Sequence, residues 1–148
     1  MDFGVLLGQA YQSFVRDLHA HLAARDHRML GASYGYVLRS LAETALTASQ
    51  LGERLGITAQ GAAKVVDEMV RYGYIERRPD PADKRAKLLH LSDHGRDMLA
   101  TVREFHADYE RKLIDQVGAD QVATVRAVLG RIAEAPADLG ADRSFRPL

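Results

Sequence analysis

An acid and a base two positions apart, Asp83 and Arg85, lie in a turn-rich stretch, PDPADKR. At that spacing the carboxylate can hold the guanidinium extended. An extended cation on a hairpin tip suits a narrow, electronegative cleft such as the minor groove of DNA. Around them, Arg77, Arg78, Lys84 and Lys87 supply charges of the kind that contact phosphates and set register without reading sequence. A second set lies upstream, where Ala59, Gln60, Gly61, Ala63 and Lys64 face outward from the N-terminal half of a short predicted helix. Gln60 can pair with adenine through two hydrogen bonds, and Lys64 can reach guanine or a phosphate. The small Gly61 and Ala63 let the backbone come close or meet a thymine methyl. Each set alone also has a bland meaning: exposed Gln and Lys suit any solvated helix, and a charged hairpin discourages edge-to-edge strand pairing.

The elements that must position these side chains are legible in the spacing. Thr47 can cap a helix, and Gln50 can reach back to the cap's own amide, a Thr-x-x-Gln capping box. Leu51 and Leu55 form that helix's apolar stripe, and Gly56 supplies the left-handed residue that ends it. Ile57 then turns inward and Thr58 caps the next helix, where Ala62, Val65, Val66 and Met69 keep helical spacing up to Gly73. Measured from Ala48, the small Gly52 falls where two crossing helices approach most closely. Those are the steric demands of a helix-turn-helix, and the caps Thr47 and Thr58 join the candidate DNA contacts. After Gly73, YIERR and AKLLHL read as two strands of a wing, with Leu89 and Leu91 on one face.

Long helices flank this unit. Phe3, Leu7, Tyr11, Phe14, Leu18 and Leu22 recur every three or four residues, which predicts a helix over about Phe3 to Ala24. A loop over Arg25 to Gly31 and a second helix over Ser33 to Glu43, with Val37, Leu38 and Leu41 inward, lead to the capped pair. Ser92 can cap a helix carrying Met98, Val102, Phe105, Tyr109, Leu113 and Val117 as far as Gly118. Val122, Val125, Leu129 and Ile132 mark a last helix. The tail from Pro136 lacks periodicity, though Phe145 and Leu148 could dock on a neighbour. The terminal helices offer more apolar stripe than one small lobe can cover, so a homodimer is expected, with Phe3, Leu7, Tyr11, Val125, Leu129 and Ile132 as its seam. Packing of those helices on each other within one chain is the alternative.

Composition sets the outer bounds. The chain has 148 residues, 47% hydrophobic and 27% charged, as one globular domain would. Without a run near the roughly 20 apolar residues that span a bilayer, or a secretory leader, a cytoplasmic location and no membrane partner are expected. Cysteine is absent, which excludes disulfides and thiol-based switches. The net charge of zero argues against a nucleic-acid partner until the local clustering of Arg77 to Lys87 is weighed against it. The six histidines show no paired ligand motif: His19 and His21 point to different helical faces, and His94 and His106 stand about three turns apart. No metal or other cofactor is expected. No Gly-rich phosphate loop, His-Glu metal motif or Ser elbow is present, so no catalysis is expected either.

From about Leu6 to Ala133, and most specifically in GYIERRPDPADKRAKLLHLSDHG, the chain resembles the MarR-type winged-helix transcriptional regulators. The family's Asp-x-Arg of the wing appears as Asp83 and Arg85, and its closing Leu-Thr as Leu91 and Ser92. The resemblance implies a mainly α fold, a winged helix-turn-helix with an α+β wing and long N- and C-terminal dimerisation helices. The single domain would span 1–148, with the DNA-binding lobe at 32–92 and dimerisation helices at 3–24 and 93–134. It implies a homodimeric repressor on a pseudo-palindromic double-stranded operator, released by a small aromatic or anionic effector in a cleft between dimer helices and lobe. Tyr11, Arg16, His19, Tyr34 and Tyr36 could line such a cleft, although aromatic positions on helices also serve as core or dimer contacts. A different function also fits the zero net charge: a winged-helix protein-interaction module that does not touch DNA.

Overall fold

The computed structural model describes residues 1–28, 31 and 33–134. The tail with Phe145 and Leu148 lies outside the described residues. Eight elements follow in order: α1 (Phe3–Ala23), α2 (Tyr34–Glu43), α3 (Ala48–Leu55), α4 (Ala59–Arg71), β1 (Ile75–Pro79), β2 (Lys87–Leu91), α5 (Asp93–Val117) and α6 (Ala119–Glu134). The architecture is mainly helical with one two-stranded antiparallel sheet, a winged helix.

Local chemistry sets the boundaries. The Thr47 side chain accepts from the Gln50 amide while the Gln50 side chain accepts from the Thr47 amide, so the capping box is complete. Thr58 accepts from Gly61 and Ser92 from Gly95 in the same manner, each satisfying a first-turn N–H that the helix cannot. Between α3 and α4 the chain reverses at Gly56, whose φ of 65° is comfortable only without a Cβ. The two helices then cross tightly, because a Cβ added at Gly52 would stand 3.2 Å from the Ala62 Cβ.

The core lies where α2, α4, the wing base and α5 meet. Val37, Leu38, Leu51, Val66, Met69, Met98 and Val102 are fully buried, and Leu22 from α1 reaches into the same cluster. Leu89 and Leu91 are buried along β2 as their alternation predicts. Pairing runs from Ile75 with Leu91 to Pro79 with Lys87, and Leu46 adds an isolated bridge to Leu89 that ties the lead-in to α3 onto the wing. The flanks differ in kind. No residue of α6 is buried, and only Leu18 and Leu22 of α1 are.

Candidate nucleic-acid interface

The N-terminal half of α4 presents an open surface. Thr58, Ala59, Gln60, Ala63 and Lys64 are exposed and Gly61 is half-buried, while Ala62, Val66 and Met69 hold the opposite face in the core. Both faces follow from the 3.6-residue period. Gln60 and Lys64, one turn apart on the same face, have no side-chain hydrogen bond or ion pair among the described residues. The helix N-terminus adds partial positive charge at that end, with the Thr58 hydroxyl oriented on Gly61. Thr47 is half-buried and its hydroxyl is engaged in its own cap.

The wing tip is built differently from the sequence expectation. Asp83 Oδ1 accepts from the backbone N–H of Arg85 at 2.9 Å and does not hold the guanidinium. Asp80 does the same for Ala82, and the Asp80 amide closes the loop on the Ala86 carbonyl. A short acidic side chain reaches an amide two residues on more readily than a long side chain's end, so it shapes the turn. The Arg85 guanidinium is left without a hydrogen-bond or ion-pair partner among the described residues, as are Lys84 and Lys87. Arg77 and Arg78 are engaged by acids of their own, Arg77 by Asp67 of α4 and Arg78 by Glu76. The Arg77 pair joins wing to α4, fixing one contact surface relative to the other.

The proposed effector residues divide between core and surface in the single chain. Tyr34 is a core residue, 1% exposed, and its hydroxyl donates to Glu68 at 2.6 Å. Burial first, and then the Glu68 carboxylate, hold the phenol far above its ordinary range, so it remains a donor. Tyr11, Arg16, His19 and Tyr36 lie on exposed helical surface, with Arg16 bonded to Ser13 and paired with Asp17. None of the five lines either of two cavities that the fold does form. One, of about 380 Å³, sits between α2, the wing and α5 and gathers Arg78, His90, Arg96 and Arg103 over Leu41 and Leu99. Arg96 and Arg103 stand two turns apart on one face of α5, a spacing visible in the sequence. That the wing brings Arg78 and His90 to the same place was not. A second cavity, of about 540 Å³, lies between α1 and α5 beside His21, Phe105 and Tyr109.

The seam residues Phe3, Leu7, Tyr11, Val125, Leu129 and Ile132 are all exposed in the single chain, from 38% at Leu7 to 62% at Phe3. The structure also gathers His27, His94 and Asp97, a set that the histidine spacing does not suggest. The turn after α1 folds back on the start of α5, a contact that no local pattern encodes.

Two helices crossing at Gly52 and a hairpin of net positive charge define a winged helix-turn-helix. Comparison with known proteins agrees. A MarR family model matches residues 30–86. An uncharacterized protein of Mycobacterium tuberculosis H37Rv is 30% identical over 119 residues, covering 76% of this chain and 83% of its own. The multiple antibiotic resistance protein MarR of Escherichia coli K12 is 25% identical over 133 residues, covering 89% and 91%. A crystal structure of a mutant E. coli MarR complexed with operator DNA superposes with a TM-score of 0.70 at 27% identity, over 90% of this chain and 93% of that one. The chain belongs to the MarR family of winged-helix transcription regulators.

Proposed function

We propose that this protein is a homodimeric, sequence-specific DNA-binding repressor, in which α4 enters the major groove and the wing reaches the adjacent minor groove. The observation that carries it is the set of exposed donors without a partner among the described residues, Gln60 and Lys64 on α4 and Lys84, Arg85 and Lys87 on the wing, with the Arg77–Asp67 pair joining the two elements. Bases are read from the first site and backbone and groove width from the second. The likeness to a MarR bound to its operator supports this placement. Dimerisation is supported by the apolar faces of α1 and α6 that the single chain leaves in water. Release by an anionic or aromatic ligand fits the cavity of Arg78, His90, Arg96 and Arg103, because a guest there would touch both the wing and α5. No catalytic step is assigned. Among the described residues no helix is long and apolar enough to cross a membrane, and the reading places the protein in the cytoplasm with the chromosome.

Binding to a duplex selected from a random pool, measured against salt, tests the assignment. A repressor loses affinity steeply as salt rises, with a log–log slope of about −0.9 per neutralised phosphate. Absence of selectable duplexes, or salt-independent binding, would favour the protein-interaction module instead.

A further inference from the structure

His27, in the turn after α1, is 3% exposed, and its Nε2 lies 2.9 Å from Oδ2 of Asp97 on α5. His94, one turn before Asp97 on the same helix, stacks on the Tyr74 ring with centroids 4.5 Å apart and comes within 4.8 Å of the His27 ring. One ligand atom from each of the three falls within 4.8 Å of the others. His27 Nδ1 has no hydrogen-bond partner among the described residues, so Asp97 supplies the only polar contact seen to orient that buried ring.

We propose that His27, His94 and Asp97 form a binding site for a divalent transition-metal ion, Zn²⁺ foremost, with water completing the shell. Two imidazoles in a set of three favour such a metal over Mg²⁺ or Ca²⁺, which prefer oxygen alone. Bonds of about 2.0–2.2 Å place neighbouring ligand atoms roughly 3–3.5 Å apart. The His27–Asp97 pair, at 2.9 Å, already stands close to that separation. The remaining gaps, none above 4.8 Å, would close by rotation of the exposed His94 side chain. Coordination through Nε2 moves that nitrogen's proton to Nδ1 or to solvent. A hydrogen bond accounts for His27 and Asp97 without metal; the third ligand on the adjacent turn is what sets the cluster apart. The ion would clamp the turn after α1 to the first turns of α5, which leave directly from β2 through Ser92. The site does not depend on the DNA-binding proposal, and its test uses no DNA.

Full-length protein without an affinity tag, stripped with a chelator and dialysed, is titrated with Co²⁺, followed by visible absorption, and with Zn²⁺ in competition with a chromophoric chelator. One equivalent per protomer is expected, with a dissociation constant of about 10 µM or tighter, and a higher melting temperature with Zn²⁺. His94→Ala and Asp97→Ala change exposed side chains and keep the circular dichroism of the wild type. Each should weaken binding by at least about tenfold, while His19→Ala, outside the cluster, binds as the wild type does. Absence of saturable one-to-one binding, or wild-type affinity in either cluster variant, overturns the proposal.

Discussion

Asp83 and Arg85 make opposite demands on electrostatics and on geometry, which lets a pair of substitutions separate the two. Arg85→Ala should weaken binding to a selected duplex by about 1–3 kcal/mol, read by fluorescence anisotropy. Asp83→Ala removes a negative charge, so Coulomb attraction alone predicts tighter binding. Because Asp83 holds the Arg85 amide and shapes the turn, the expected result is weaker binding. Tighter binding would show that the carboxylate has no positioning role. On α5, His106 sits against the Phe14 ring. Burial first, and then the charge of Arg39, hold its imidazole below the ordinary value of 6.5. With its folded pKa depressed, its contribution to stability is full above 6.5 and is lost as pH falls through the window below, where the unfolded chain takes up a proton first. The melting temperature of the wild type relative to that of His106→Phe should therefore fall as pH drops from about 8 to about 5. A constant difference rejects this assignment.

Among the elements, the crossing of α3 and α4 is the most sharply constrained. Gly52 leaves room for the Ala62 methyl and little more, so Gly52→Leu must push the helices apart or force strained rotamers. A loss of about 1–3 kcal/mol in urea unfolding is expected, in the range of overpacked cores. DNA binding should fall further than stability does at temperatures where the variant remains folded, since α4 would be turned away from the wing. If the two losses track each other, the crossing matters for folding alone. The wing is braced from behind as well as paired in front. Leu89 donates to the Leu46 carbonyl at 2.7 Å, and Leu89 and Leu91 are buried, so the base of the hairpin is anchored to the core and to the lead-in of α3.

For the whole molecule, the exposed apolar faces of α1 and α6 are the feature a single chain leaves unexplained. Leu7→Asp combined with Ile132→Asp should convert a dimer into a monomer in sedimentation equilibrium, because each buried charge at a seam lacks a partner. Secondary structure should survive, since neither residue is in the core of the single chain. Affinity for a two-site duplex should drop towards that of one half-site, because linkage between two lobes multiplies their binding. A wild-type protein that sediments as a monomer at micromolar concentration would remove the basis for two half-sites.

The sequence by itself determined the parts whose information is local. Caps at Thr47, Thr58 and Ser92, the reversal at Gly56 and the alternation of Leu89 and Leu91 each lie within a turn or a strand of what they control, so residue type and spacing suffice. The tertiary structure alone decided which side chains from distant segments meet. Tyr34 went to the core because α2 brings its hydroxyl onto Glu68 of α4, 34 positions away. His27 and Asp97, 70 positions apart, became neighbours. Periodicity tells which face of a helix turns inward, but the angle at which helices cross and the place where a loop returns depend on how all the buried faces pack at once.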